Sequence, residues 1–199
     1  MAGARPLALA TRGWLLASAV AATVDAMSTA SELLLLREIQ SGEARIGPAL
    51  RASLDDAAVR ADVLTWVRLG LLLPTVAVYA FWIASAVRRR GEAMNVSPTR
   101  AALEYFVPIA QLVLPYRTMG RLLAAAEGGD ASHDWTRFFW WSAWLVALAT
   151  GQLAHRADAT AADVAGFVYA GGLALTSAST FAVAGFAAQR LVARIEHAA

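Results

Sequence analysis

The sequence predicts an all-α integral membrane bundle of four transmembrane helices, with amphipathic helices at the interfaces and both termini in the cytoplasm. Three observations predict this class. Of the 199 residues, 58% are apolar and only 16% are charged, whereas about a quarter of a soluble domain is usually charged. Four apolar stretches are each long enough to cross about 30 Å of hydrocarbon. The arginines that flank these stretches are distributed unequally between the two sides of the membrane.

The apolar stretches cover residues 13–36, 63–87, 136–155 and 164–187. No internal repeat or linker divides the chain, so we expect residues 1–199 to form a single four-span domain. The first stretch is the most polar of the four. Its basic start and short apolar run also fit a secretory signal, but we expect a retained helix.

The arginines predict the orientation of the chain. All 17 basic residues are Arg, and in the predicted topology eleven lie on the inner side and six on the outer side. Because cytoplasmic loops carry the excess of basic residues, both termini are predicted to be cytoplasmic. A chain rich in Ala and without Lys is typical of a bacterium with a G+C-rich genome. We therefore expect the bacterial plasma (inner) membrane, with lipid as one partner.

Two segments outside the spans have helical patterns. An amphipathic helix is predicted to begin at Gly47-Pro48 and to lead into the second span. Residues 101–126 are apolar, but Pro108 and Pro115 would each break a helix. We expect a short interfacial or re-entrant element there, followed by an amphipathic helix. Aromatic residues predicted to form a belt at the inner interface are Tyr79, Trp82, Tyr105, Tyr116, Trp135, Trp140 and Trp141.

The middle of the chain, about residues 63–146, resembles an uncharacterised bacterial membrane family, domain of unknown function 4328. The residues that carry the resemblance are Phe81-Trp82, Ser97-Pro98, Tyr105-Phe106-Val107-Pro108-Ile109, Leu112, Pro115-Tyr116, Met119, Trp135 and Trp140-Trp141. Gln111 stands where the family usually has Asn. The resemblance implies a four-span bundle and no activity. Its motif element, expected at the inner interface, comprises Phe106, Pro108, Pro115 and Tyr116.

The strongest candidate for a functional residue is Asp25, near the middle of the first span. An ionised carboxylate at that depth costs roughly 2.5 kcal/mol or more. Asp25 shares one helix face with Ser18, Thr29 and Glu32, and such a polar face is expected to point into the bundle.

A polar site inside the membrane is predicted around this face. We expect residues of the second and fourth spans at the depth of Asp25, and an ion pair between Glu32 and Arg68. The predicted site comprises Asp25, Glu32, Arg68, Thr75 and Thr176. Two interpretations remain open: a path or ligand site for a proton or cation, and interhelical hydrogen bonding that only stabilises the bundle.

The fourth span carries small residues at the spacing that lets helix backbones approach closely. Gly166, Ala170 and Ala174 are four residues apart. This face is predicted either to pack within the chain or to bind the helix of another chain.

The sequence gives no sign of an enzyme or of a cofactor. It contains no Cys, which excludes disulfides and thiolate ligands. No nucleophile, phosphate-binding or zinc-protease motif is present, so we predict no catalytic residue, no metal site and no cofactor. No basic stripe indicates nucleic acid.

The predicted function is that of a non-enzymatic interaction protein of the membrane. It would act as an accessory subunit or scaffold, bound to another membrane protein or to itself. The alternative is a small oligomeric channel or transporter that uses the intramembrane carboxylates of Asp25 and Glu32.

Overall fold

The computed structural model describes residues 4–42, 47–107, 110–129 and 134–198, which form helices and turns without a strand. The six α-helices in this part of the chain are α1 (Ala4–Ser41), α2 (Pro48–Arg90), α3 (Pro98–Leu103), α4 (Leu114–Glu127), α5 (Trp135–Thr160) and α6 (Val164–His197). Short 3-10 helices cover Gly91–Met94 and Ala110–Leu112. The predicted all-α class is confirmed.

Three of these helices are long and apolar enough to cross a membrane: α1 from Arg5 to Ser41, α2 and α6. The protein is therefore consistent with a multi-pass membrane protein. The third predicted span lies in α5, which has 26 residues and is not one of these three helices. Four Trp residues, Arg137, and Arg156 and Asp158 near the end of the helix interrupt its apolar sequence.

The predicted outer amphipathic helix and the second span are one continuous helix, α2, of 43 residues. This helix continues through Pro74, which has no N–H to donate to the carbonyl of Gly70. In the segment that follows, α3 and the second 3-10 helix are short, and α4 is the predicted amphipathic helix. Met119, Leu122 and Leu123 on its apolar face are fully buried.

The chain packs as two compact units, and α1, α2, α5 and α6 contribute residues to both. One unit comprises Met1–Ser18, Leu71–Ser142 and Val183–Ala199, and the other comprises Ala19–Gly70 and Ala143–Ala182. The sequence of the first, called the basic unit below, has eleven Arg against six Asp or Glu. The sequence of the second, called the acidic unit, has six Arg against nine Asp or Glu.

Large side chains fill the core of the basic unit. The largest that are fully buried are Trp82, Ile83, Met94, Met119, Leu122, Leu123, Leu191 and Ile195. The predicted aromatic belt is wrong for three of its members, since Trp82, Trp140 and Trp141 are buried. The indole N–H of buried Trp82 donates to Glu196 over 2.9 Å, which satisfies this donor away from water. Trp135, in contrast, is 71% exposed.

Arginines connect the elements of the basic unit through charged hydrogen bonds. Both Nε and Nη2 of Arg194 donate to the carboxylate of Glu127, over 2.9 and 3.0 Å. Nη1 of Arg194 donates to Asp134 over 2.5 Å. Arg89 pairs with Glu196. These contacts hold the last turns of α6 against α2, α4 and the start of α5.

The acidic unit has a core of small side chains. Its buried apolar residues are Ala19, Ala22, Ala26, Leu33, Ala57, Ala147, Ala154, Ala170, Ala178 and Ala182. A Cβ atom added to Gly171 would lie 2.7 Å from Cδ2 of Leu33. α6 passes close to α1 at that point, and a larger residue would require the Leu33 side chain to move.

In the basic unit, Gly120 of α4 leaves room for the side chain of Arg137. The Arg137 guanidinium lies 4.2 Å from the ring centre of Tyr116, and its Nη2 donates to the Tyr116 hydroxyl over 3.1 Å. A Cβ atom at Gly120 would lie 1.7 Å from Nη1 of Arg137. Because Arg137 is buried and held by Tyr116, it has little freedom to move away.

We expect Gly120→Ala to lower the free energy of unfolding by about 1–3 kcal/mol, since the added methyl displaces a buried guanidinium. Equilibrium unfolding in detergent measures this change. Gly13→Ala is the control in the same unit, because a Cβ there meets no atom within 4 Å. A Gly120→Ala penalty that persists in an Arg137→Ala background would contradict this explanation.

Candidate functional site

The acidic unit has a half-open cavity of about 500 Å³ between α1, α2, α5 and α6. Ligand pockets in proteins typically have volumes of roughly 300–1,000 Å³. The small core residues of this unit leave the space open, and Gly151, Gly171 and Ala174 form part of the wall. The polar residues that line the cavity are Asp25, Thr29, Glu32, Thr65, Arg68, His155, Asp158 and Ser177.

The cavity follows α1 from Asp25 to Leu36, a length of about 16 Å at the rise of an α-helix. Asp25 lies near the middle of the first predicted span and Leu36 at its outer end. Three members of the predicted polar face of α1 line the cavity: Asp25, Thr29 and Glu32. The fourth member of that face, Ser18, is buried in the basic unit.

The ion pair of the cavity joins Arg68 to Asp25 and not to Glu32 as predicted. Nη1 of Arg68 donates to Oδ2 of Asp25 over 2.5 Å. The Asp25 side chain is 16% exposed and that of Arg68 is 40% exposed. The prediction placed Arg68 by its distance from the outer end of the span. In the structure the guanidinium reaches a carboxylate two turns deeper along α1.

Two further carboxylates in the cavity have no such partner. The side chains of Glu32 and Asp158 form no hydrogen bond or ion pair within the described part of the chain. His155 lies one turn before Asp158 on α5 and also lines the cavity. The cavity therefore has three carboxylates, one guanidinium and one imidazole. Among the residues that the structure describes, no group of three His, Cys, Asp or Glu is arranged to hold a metal ion.

Thr75 and Thr176, the two other predicted members of the polar site, do not line this cavity. Thr75 belongs to the basic unit, where its Oγ1 lies 2.8 Å from Oγ of Ser18. Thr176 is exposed, and its hydroxyl donates to the carbonyl of Gly172 over 2.9 Å. On the fourth span it is the next residue, Ser177, that lines the cavity.

The small-residue face of α6 is directed into the acidic unit. Ala170 is 4% exposed, and both Ala170 and Ala174 line the cavity. Gly166 lies at the start of α6, where its N–H donates to Oδ1 of Asp163 over 2.8 Å. The close approach of helices occurs at Gly171, one position away from the predicted series.

The motif element predicted for the inner interface lies in the basic unit. Pro115 is buried, Phe106 is 56% exposed, and Tyr116 contacts Arg137. Pro108 lies outside the described residues.

A buried polar group accompanies this motif. The buried carboxylate of Glu104 accepts a hydrogen bond from Thr118 over 2.7 Å. The hydroxyl of Tyr105 is buried beside it and against the ring of Tyr79. Burial, followed by the contacts with Tyr79 and Glu104, raises the pKa of Tyr105 well above its usual value of 10.0. Tyr105 therefore remains a neutral hydrogen-bonding group at physiological pH.

Sequence reasoning missed His155 and Asp158 as members of the site. The third predicted span ends at His155, which places Asp158 in the loop that follows it. In the structure α5 continues to Thr160, and this extra turn brings Asp158 to the cavity. Extending the predicted helix by one turn beyond His155 would have placed Asp158 on the same helix.

Three helices long and apolar enough to cross a membrane are consistent with a multi-pass membrane protein, and a polar cavity lies between α1, α2, α5 and α6. The family model for domain of unknown function 4328 (DUF4328) matches residues 48–197. The chain belongs to this family, as the resemblance implied. Neither the curated proteins nor the solved structures gave a match. The matched range includes Arg68, His155 and Asp158 but not α1.

The contact between Asp25 and Arg68 predicts energetic coupling. We expect Asp25→Asn and Arg68→Gln each to lower the free energy of unfolding, because each leaves a partly buried charge without its partner. The double variant should lose about 1–3 kcal/mol less than the sum of the single losses.

Equilibrium unfolding of the three variants in detergent measures this coupling. Asp55→Asn combined with Arg68→Gln is the matched control, since Asp55 is exposed on α2 in the same unit and does not line the cavity. Additive losses for Asp25→Asn and Arg68→Gln, to within about 0.5 kcal/mol, would be incompatible with the ion pair.

Proposed function

We propose that this protein is a small channel or carrier that admits a polar solute into the cavity of its acidic unit. The single observation that carries the proposal is the cavity itself. It places about 500 Å³ of space beside an ion pair within a predicted span. Charged side chains inside membrane proteins usually face the interior or a water-filled cavity, where they mark solute or ion paths.

The proposal includes four spans, with both termini in the cytoplasm of a bacterium and the chain in the inner membrane. The distribution of charge supports this orientation. The basic unit carries eleven of the 17 arginines, and such an excess favours the cytoplasmic side. α5 would be the third of the four spans, with 26 residues giving about 39 Å of helix.

A polar cavity in a span also favours solute binding over simple stabilisation of the bundle. If Asp25 served only to hold helices together, Arg68 would satisfy it and the surrounding space would be filled. Instead Glu32 and Asp158 line the same cavity without a partner in the described chain. Glu32 is half-buried and Asp158 is exposed, so water or a solute in the open cavity solvates both charges.

The second candidate is an accessory subunit or scaffold of a larger membrane assembly. An exposed apolar ridge on α2 favours it. Val59, Val63 and Trp66 lie on one helix face and are 63%, 55% and 73% exposed. Val59 lies outside the predicted span of 63–87, where lipid tails would not cover it. Another membrane protein, or a second copy of this chain, would cover this ridge.

Purification in mild detergent tests the second candidate. A stoichiometric partner identified by mass spectrometry, and lost in Val59→Asp, would support the accessory-subunit role. Purification of the chain as a single species, unchanged by Val59→Asp, would contradict it.

Alkaline phosphatase inserted between Ala161 and Ala162 tests whether α5 is the third span. We expect an active reporter, because α5 would deliver this loop to the outer side, where the enzyme folds. The same insertion between Gly128 and Gly129 should be inactive. An inactive reporter after Ala161, at equal expression, would show that α5 does not cross the membrane.

Labelling of single cysteines tests the cavity as a solute-accessible space, and the absence of natural Cys gives a clean background. We expect a membrane-impermeant maleimide added outside intact cells to label Thr29→Cys, which lines the cavity. Thr176→Cys is the matched control. It is exposed in the same unit but away from the cavity, so lipid should protect it.

Labelling after denaturation confirms that both variants are present in equal amounts. If Thr29→Cys is no more reactive than Thr176→Cys in intact cells, the channel or carrier function fails.

A further inference from the structure

We propose that the ligand of this cavity is a small organic cation, an ammonium group attached to a short apolar body. This inference rests on the proposed function, because it names the solute class that the same cavity would admit. Three observations support it: the charge of the cavity wall, the volume of the cavity and the ion pair that Asp25 forms with Arg68.

The wall of the cavity favours positive charge. Three carboxylates line it together with one guanidinium and the imidazole of His155, and the guanidinium pairs with Asp25. Glu32 and Asp158 remain on α1 and α5 without an ion pair in the described chain. Clefts lined by one sign of charge concentrate the opposite ion and speed its entry, by a factor of about 10 to 10³. An anion would meet the reverse field.

The space suits an organic ion better than a bare metal ion. In the described residues no three potential ligands are close enough to coordinate a metal, whereas the volume is about 500 Å³. Leu33, Leu36 and Phe167 form apolar parts of the wall. An ion with carbon substituents would place its charge near Glu32 or Asp158 and its apolar body against these side chains.

Asp25 shows that a cavity carboxylate accepts this kind of group. Its partner Arg68 is a delocalised organic cation on an apolar stem, bound at 2.5 Å. The wall thus holds one organic cation of its own, and the two remaining carboxylates would hold one from solution.

Charge-selective modification of Thr29→Cys tests the inference. The probes are the trimethylammonium-ethyl and sulfonato-ethyl methanethiosulfonates, with each rate divided by the rate for a free thiol in the same buffer. We expect the cationic reagent to react at least about tenfold faster. Glu32→Gln combined with Asp158→Asn should bring the ratio close to one. Asp55→Asn removes an exposed acid of the same unit and should leave the ratio unchanged.

Protection experiments test the organic character of the ligand. Tetramethylammonium chloride should slow modification of Thr29→Cys by the cationic reagent, and sodium chloride at equal ionic strength should slow it less.

The possible outcomes separate the two proposals. If neither reagent reacts, there is no accessible cavity and the proposed function itself fails. If both react at equal normalised rates, the cavity is accessible but the cation inference is wrong. Equal protection by sodium and tetramethylammonium would contradict the proposal that the cation is organic. If Asp55→Asn lowers the rate ratio as much as Glu32→Gln combined with Asp158→Asn, the selectivity comes from the surface charge of the unit and not from the cavity.

Discussion

The structure depends on one constraint: a carboxylate and a guanidinium are held together where the chain is predicted to cross a membrane. Each charge alone would cost roughly 2.5 kcal/mol or more at the centre of a span, so Asp25 and Arg68 must either pair or reach water. The structure shows both conditions. The pair is formed at 2.5 Å, and it lines a cavity with room for solvent. The polar face of α1 and the open space beside it follow from this requirement.

The two units meet different physical demands with different residues. In the basic unit, large side chains such as Trp82 and Met119 fill the core, and Arg194 ties helix ends together through two carboxylates. In the acidic unit, alanines bring the helices together and leave space where longer side chains would have filled it. The closely packed core of the basic unit holds its helices in fixed positions. The small-residue core of the acidic unit leaves a cavity with polar walls.

Much of this arrangement could be predicted from the sequence. Helical class, the long apolar helices and the polar face of α1 follow from composition and spacing, because lipid requires helices and polar residues turn away from it. The exact partners did not follow. Arg68 is long enough to reach Asp25 or Glu32, and only the packed positions of α1 and α2 select between them. Thr75 and Thr176 were predicted by depth alone, but the rotation of each helix directs Thr75 to Ser18 and Thr176 outward. Asp158 was missed because a helix end at a polar residue is difficult to locate within a turn.

Electron cryomicroscopy of the protein in lipid nanodiscs tests most directly whether the Asp25–Arg68 pair lies beside a solvated cavity. Because the protein has a mass of only 21.0 kDa, a bound antibody fragment is added to make the particle large enough to align. At a resolution that shows ordered water, the account predicts the Asp25 carboxylate on the Arg68 guanidinium. It also predicts water or a solute between Glu32, Asp158 and Ser177. Helices that close on one another without space, or a lipid chain that fills the same volume, would contradict it.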